Sequence, residues 1–84
     1  MTDKTMFFTS EEIERAVINE VLDEVYKALK EKGYNPVNQL VGYLTTGDPK
    51  YICSYDNSRN KIMGIDRDKL IKVLLESYLE RWSV

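Results

Sequence analysis

The sequence predicts an all-α protein: a compact bundle of about five helices, two long and three short, behind a flexible amino-terminal tail. Three observations carry this expectation. Apolar residues recur every three or four positions over long segments, the spacing of a helix face. Glycines and Asn-Pro or Asp-Pro pairs stand between those segments, where helices stop and restart. No segment alternates convincingly as a strand; residues 50–55 are the one candidate and are too short to pair alone.

Residues 1–8 lack periodicity and precede any cap, which marks a tail, although Met6, Phe7 and Phe8 are residues that dock somewhere or wait for a partner. The rest, residues 9–84, reads as one helical domain. Thr9 and Glu12 fit a capping box, and Phe8 with Ile13 the hydrophobic staple that accompanies it. The first helix then runs to about residue 32. Ile13, Val17, Val21, Val25 and Leu29 form its stripe, and Ile18, Leu22, Tyr26 and Ala28 widen it, so that it faces more than one neighbour. Glutamates lead this helix and lysines trail it, as the macrodipole favours.

Residues 31–49 hold three of the four glycines and both prolines. Gly33 stands where a helix needs a left-handed residue. Asn35-Pro36 reads as N-cap followed by N1, because the Asn oxygen accepts an orphan N–H and proline has none to satisfy. A second helix follows over residues 36–46 with Val37, Leu40, Val41 and Leu44 on its face. Gly47 ends it, and Asp48-Pro49 repeats the cap for a turn or two reaching residue 53. Asp56 is the expected cap of a fourth helix over residues 57–63, stopped by Gly64. Asp66 caps the fifth, with Ile65 stapled to Leu70. Its expected buried face is Ile71, Leu74, Leu75, Tyr78, Leu79 and Trp82, with Trp82 in the core or across a dimer interface.

Composition narrows function more by exclusion than by motif. The chain has 84 residues, 43% hydrophobic and 31% charged, with a net charge of −2. One small domain of this size has little interior, so help from a partner is expected. An acidic balance opposes a domain built to neutralise nucleic-acid phosphates. A single cysteine forms no internal disulfide and suits a reducing compartment. With no long apolar run and no secretory leader pattern, the cytoplasm is the expected location and membrane insertion is not expected. There is no histidine, hence no neutral-pH general base or imidazole ligand. Cys53 has no base to activate it and reads as a small hydrophobe. Asp66 and Asp68 lack the glycine and terminal glutamate of a calcium loop, and no Gly-Lys-Ser/Thr completes a phosphate loop. An enzyme, a metal site and a cofactor are therefore not expected. A helix-turn-helix DNA reader is the alternative, with Arg59, Asn60 and Lys61 on the fourth helix, though phosphate contacts dominate DNA affinity and the surroundings are only weakly basic.

Thr5 lies in the tail between Lys4 and the anchor residues Met6, Phe7 and Phe8, an arrangement a protein kinase can reach and hold. Over nearly its whole length the chain resembles the IreB/ReoM family of small regulatory phosphoproteins of Gram-positive bacteria. The most specific part is residues 31–52, a long and nearly gapless match. Arg59, Arg67, Asp68, Tyr78 and Leu79 match downstream positions, and Thr5, Met6, Phe7 and Phe8 match the phosphoacceptor motif. The resemblance implies an all-helical homodimer with a flexible tail. It implies a non-catalytic substrate of a PASTA-type Ser/Thr kinase that adjusts peptidoglycan synthesis and cell-wall antibiotic tolerance. In some members this works through Clp-dependent turnover of an early cell-wall enzyme, so an adaptor or protease system is an implied partner. Thr5 corresponds to the main acceptor and Thr2 to a second. The chain has Cys53-Ser54-Tyr55 where Pro-Arg-His is usual, Asn57-Ser58 where Asp-Ala is common, and Met63-Gly64 where many members carry paired arginines. A phosphate of roughly −1.5 to −2 charges would repel an acidic partner or dock on basic residues, for which Arg59, Arg67 and Lys61 are the partner-binding candidates.

Overall fold

A computed structural model describes residues 8–82. Among them the chain is all-helical: α1 (Ser10–Glu31), α2 (Pro36–Thr46), α3 (Ser58–Met63) and α4 (Arg67–Leu79). Three 3₁₀ turns, Pro49–Tyr51, Tyr55–Asn57 and Glu80–Trp82, join or extend them. The expected third helix is the first of these turns, so four α-helices stand where about five helices were expected. Residues 50–55 form no strand.

The caps read from the sequence explain most boundaries. Thr9 Oγ1 accepts from the Glu12 amide at 3.0 Å, and Glu12 Oε1 accepts from the Thr9 amide at 2.9 Å. These bonds satisfy donors that an α-helix leaves open at its start. At the other end of α1, Gly33 has φ +84°. Its amide donates to the Lys30 carbonyl, and the Tyr34 amide reaches back to Leu29 at 2.9 Å. This is the paired closure that a left-handed residue permits. Asn35 Oδ1 accepts from the Asn38 amide at 3.1 Å, and Asp48 Oδ1 from the Lys50 amide at 2.9 Å.

Two cap expectations need correction. The residue preceding α3 is Asn57 rather than Asp56, and neither side chain caps that helix. Both adopt left-handed backbone, φ 55° and 60°, which Asp and Asn tolerate better than other non-glycine residues. The bend is anchored instead by Ser58, fully buried, whose hydroxyl donates to the Tyr55 carbonyl at 2.7 Å. Asp66 precedes α4 as expected, yet its side chain makes no capping bond.

α1 is the spine, with α2, α3, α4 and the second 3₁₀ turn all in contact with it. The core joins Ile18, Val25 and Leu29 of α1 to Tyr43, Ile52, Ile62, Leu70 and Val73. Ile65 and Cys53 pack partly against it. α4 packs across the first half of α1, with Lys69 paired to Glu14 at 2.6 Å and Lys72 to Glu11 at 3.3 Å. The expected buried face of α4 is a second correction. Leu70 and Val73 are buried, whereas Ile71, Leu74, Leu75, Tyr78 and Leu79 are exposed. Trp82 is 70% exposed and is not part of the core. The helix carries two apolar faces, and only one has a partner among the described residues.

Candidate functional site

Where the last turn of α1 meets the 3₁₀ turns and the start of α3, the surface opens into a groove of about 490 Å³. Lys32, Tyr34, Lys50, Tyr51, Tyr55 and Arg59 line it. Each wall is placed by a backbone device already described. Lys32 is the C-cap of α1, fixed by the Gly33 closure. Lys50 and Tyr51 ride on the turn opened by Asp48-Pro49. Tyr55 precedes the left-handed pair Asp56 and Asn57, and Arg59 occupies the first turn of α3.

The side chains are partly ordered against one another. Arg59 donates from Nε to the carbonyl of the buried Ile52 at 3.0 Å, which leaves its two terminal nitrogens as the remaining donors of the guanidinium fork. Lys32 Nζ lies 4.4 Å from the centre of the Tyr55 ring, within the range of a cation–π contact. The negative charge of Glu31, and then a hydrogen bond to it, hold the Tyr55 phenol above its ordinary pKa of 10.0. Tyr55 is therefore a protonated donor throughout the physiological range.

Four cations of the described residues are ion-paired and three others converge. Arg15 pairs with Glu76 and Glu80, Lys61 with Glu24 and Asp56, Lys69 with Glu14, and Lys72 with Glu11. Lys32, Lys50 and Arg59 make no ion pair with a carboxylate among the described residues, and all three face one groove.

The partner-binding candidates read from the sequence fall in three different places. Arg59 is on the groove. Lys61 is 3.2 Å from Glu24 and 3.8 Å from Asp56. Arg67 lies across the end of α2, where its Nη1 donates to the Leu44 carbonyl at 3.3 Å. A Cβ on Gly47 would sit 2.7 Å from the Arg67 guanidinium carbon. Of the residues suggested as DNA readers, Asn60 is bonded to Asn57 at 2.8 Å and Lys61 is ion-paired. Thr2 and Thr5 lie outside the described residues. Sequence reading missed Lys32 and Lys50 as neighbours of Arg59. No periodicity links positions 32, 50 and 59; only the two turns between them bring them together.

A second surface is apolar. Phe8, Ile13, Ala16 and Val17 line a shallow hollow of about 370 Å³ on the first half of α1. The outer face of α4 adds Ile71, Leu74, Leu75, Tyr78 and Leu79 to the exposed apolar residues. No helix among the described residues is long and apolar enough to cross a membrane, and no group of metal-ligating side chains converges among them.

The model of the IreB regulatory phosphoprotein family matches residues 3–80, nearly the whole chain. The chain belongs to the IreB family. The match contains Thr5, the groove residues and both apolar faces, whereas Thr2 precedes it. Membership makes this a regulatory phosphoprotein. IreB proteins are thus the frame for asking how a chain without catalytic constellations transmits a signal.

Proposed function

We propose that this IreB protein is a non-catalytic switch, phosphorylated on Thr5 by a PASTA-type Ser/Thr kinase, that controls peptidoglycan synthesis and tolerance of cell-wall antibiotics. It acts in the cytoplasm through protein–protein contacts, as a homodimer, on an adaptor or protease system that sets the level of an early cell-wall enzyme. The observation that carries this reading is the family match over residues 3–80, which spans Thr5. The uncovered apolar faces of α1 and α4 favour self-association, because patches of this kind on small soluble proteins mark interaction surfaces. Thr2 is the secondary acceptor. Phosphorylation works by charge: roughly −1.5 to −2 units are added to a segment close to the acidic first turn of α1, where Glu11 and Glu12 disfavour a fold-back onto that helix.

Kinase labelling followed by mass mapping tests the acceptor. Label on Thr5, lost in Thr5→Ala along with the change in antibiotic tolerance and with no change in helical content, is the expected result. Full labelling and normal tolerance in Thr5→Ala would refute it. DNA reading is not favoured: α3 is a six-residue helix with Ile62 in the core and Lys61 neutralised.

A further inference from the structure

We propose that the groove between the end of α1 and the start of α3 is a receptor for a phosphate monoester on a peptide, presented by another chain. Four observations converge on that chemistry.

The first is the distribution of charge. In a protein of net charge −2, three cations without an ion-pair partner among the described residues, Lys32, Lys50 and Arg59, line one cavity, while Arg15, Lys61, Lys69 and Lys72 are each paired with a carboxylate elsewhere. Lys32, Lys50 and Arg59 outnumber the carboxylates that act on the groove residue Tyr55, Glu31 and Asp56. The excess of positive charge favours an anion, and a phosphate monoester of roughly −1.5 to −2 charges gains more from three converging cations than a single carboxylate does.

The second is donor geometry. Arg59 is held through Nε, so its terminal nitrogens form a fixed fork, the arrangement suited to two phosphate oxygens. Tyr34 and Tyr51 add phenolic donors, and with Tyr55 they form flat apolar walls for the residues beside the phosphate.

The third is extent. A cavity of about 490 Å³ takes one modified residue and part of its neighbours. A nucleic acid requires a track of many phosphate contacts, and the next cation along α3, Lys61, is already paired.

The fourth is reach. Ser10 and Lys32 stand at opposite ends of α1, about 33 Å apart at the helical rise of 1.5 Å per residue. Thr5 is three residues from Phe8, a span of about 10 Å when extended. A phosphate on Thr5 is too far along the chain to reach Arg59 of its own copy. The ligand arrives from a second copy or from another phosphoprotein.

Fluorescence anisotropy with synthetic peptides tests this on the full-length, unphosphorylated protein. One probe is residues 1–9 of this chain phosphorylated on Thr5. The second is an unrelated phosphothreonine peptide, and the third is the unphosphorylated form of each. Because the phosphate is supplied chemically, the outcome is independent of whether Thr5 is the cellular acceptor. Phosphorylated probes are expected to bind at least about tenfold more tightly than unphosphorylated ones. Lys50→Gln and Arg59→Gln should each remove most of that difference, and Lys72→Gln none of it. Lys50→Gln is the decisive variant, because Lys50 is exposed and has no side-chain partner whose loss would disturb the fold. Binding by the first probe alone identifies a second copy as the source; binding by both identifies a general phosphothreonine receptor. Equal affinity for phosphorylated and unphosphorylated probes, or full phosphate dependence retained in Lys50→Gln and Arg59→Gln, would overturn the proposal.

Discussion

The two halves of α1 carry the same kind of apolar stripe and meet opposite fates. Val25, Ala28 and Leu29 in the second half are buried in the core that Tyr43, Ile52 and Ile62 complete. In the first half only Ile18 is fully buried, and Ile13 and Val17 stay half in water. There α4 packs Leu70 and Val73 into the core, flanked by the exposed ion pairs Glu11–Lys72 and Glu14–Lys69 and by Arg15 with Glu76 and Glu80. Periodicity thus announces which side of a helix is apolar. It does not announce what covers that side. The second half stabilises the monomer; the first half presents a surface.

The sharpest way to break this contrast is a matched pair of truncations. Leu29→Ala should cost about 2–5 kcal/mol in denaturant unfolding, whereas Val17→Ala should cost less than about 1 kcal/mol at low protein concentration. Equal losses at all concentrations would erase the distinction. Next in size is Gly47→Ala. Left-handed backbone and the neighbouring Arg67 guanidinium should together cost about 1 kcal/mol or somewhat more, read as a lowered unfolding midpoint. Asn35→Ala removes the α2 cap and should cost about 1 kcal/mol, against a few tenths for Asn35→Gly. The smallest effect concerns the ion pairs of the first half. Lys72→Gln should change stability by less than about 0.5 kcal/mol, because both partners are exposed. Its neighbour Lys69 has its pKa raised above 10.5, first by the hydrogen bond to Glu14 and then by the charge of Glu14. A raised folded-state value means that this contribution is complete below pH 10.5 and is lost as pH climbs through the folded-state pKa. Melting curves taken from neutral pH into that alkaline range should fall less steeply for Lys69→Met than for the unaltered protein.

Much of the fold was legible because its punctuation is chemical. Thr9 with Glu12, Gly33, Asn35-Pro36, Gly47 and Asp48-Pro49 each do a backbone task that few other residues can do, and each was found where the sequence placed it. The start of α3 was misjudged by one residue because Asp56 and Asn57 both leave the right-handed region, a choice that depends on Ser58 being buried. The outer face of α4 was misread for a different reason. Leu74, Leu75 and Tyr78 follow helical spacing as faithfully as Leu70 and Val73, but an 84-residue chain has too few elements to enclose both sides. The groove was the least legible. Arg59 was named, but Lys32 and Lys50 lie 27 and 9 residues before it and belong to different elements. Nothing in a linear pattern records that two tight turns fold them onto one cavity. Arg67 was read as a surface cation, and its bond to the Leu44 carbonyl depends on a packing angle that composition does not encode.

That bond has a consequence for the order in which the protein is made. At the end of α2 the Gly47 amide meets the Tyr43 carbonyl, but the guanidinium that meets the Leu44 carbonyl belongs to the first residue of α4, 23 positions later. During synthesis α2 leaves the ribosome before its terminal fastening exists. A chain arrested short of residue 67 would hold α2 by its amino-terminal cap and the Gly47 closure, with the Leu44 carbonyl still unmet. Arg67 therefore ties the end of the second helix to the arrival of α4.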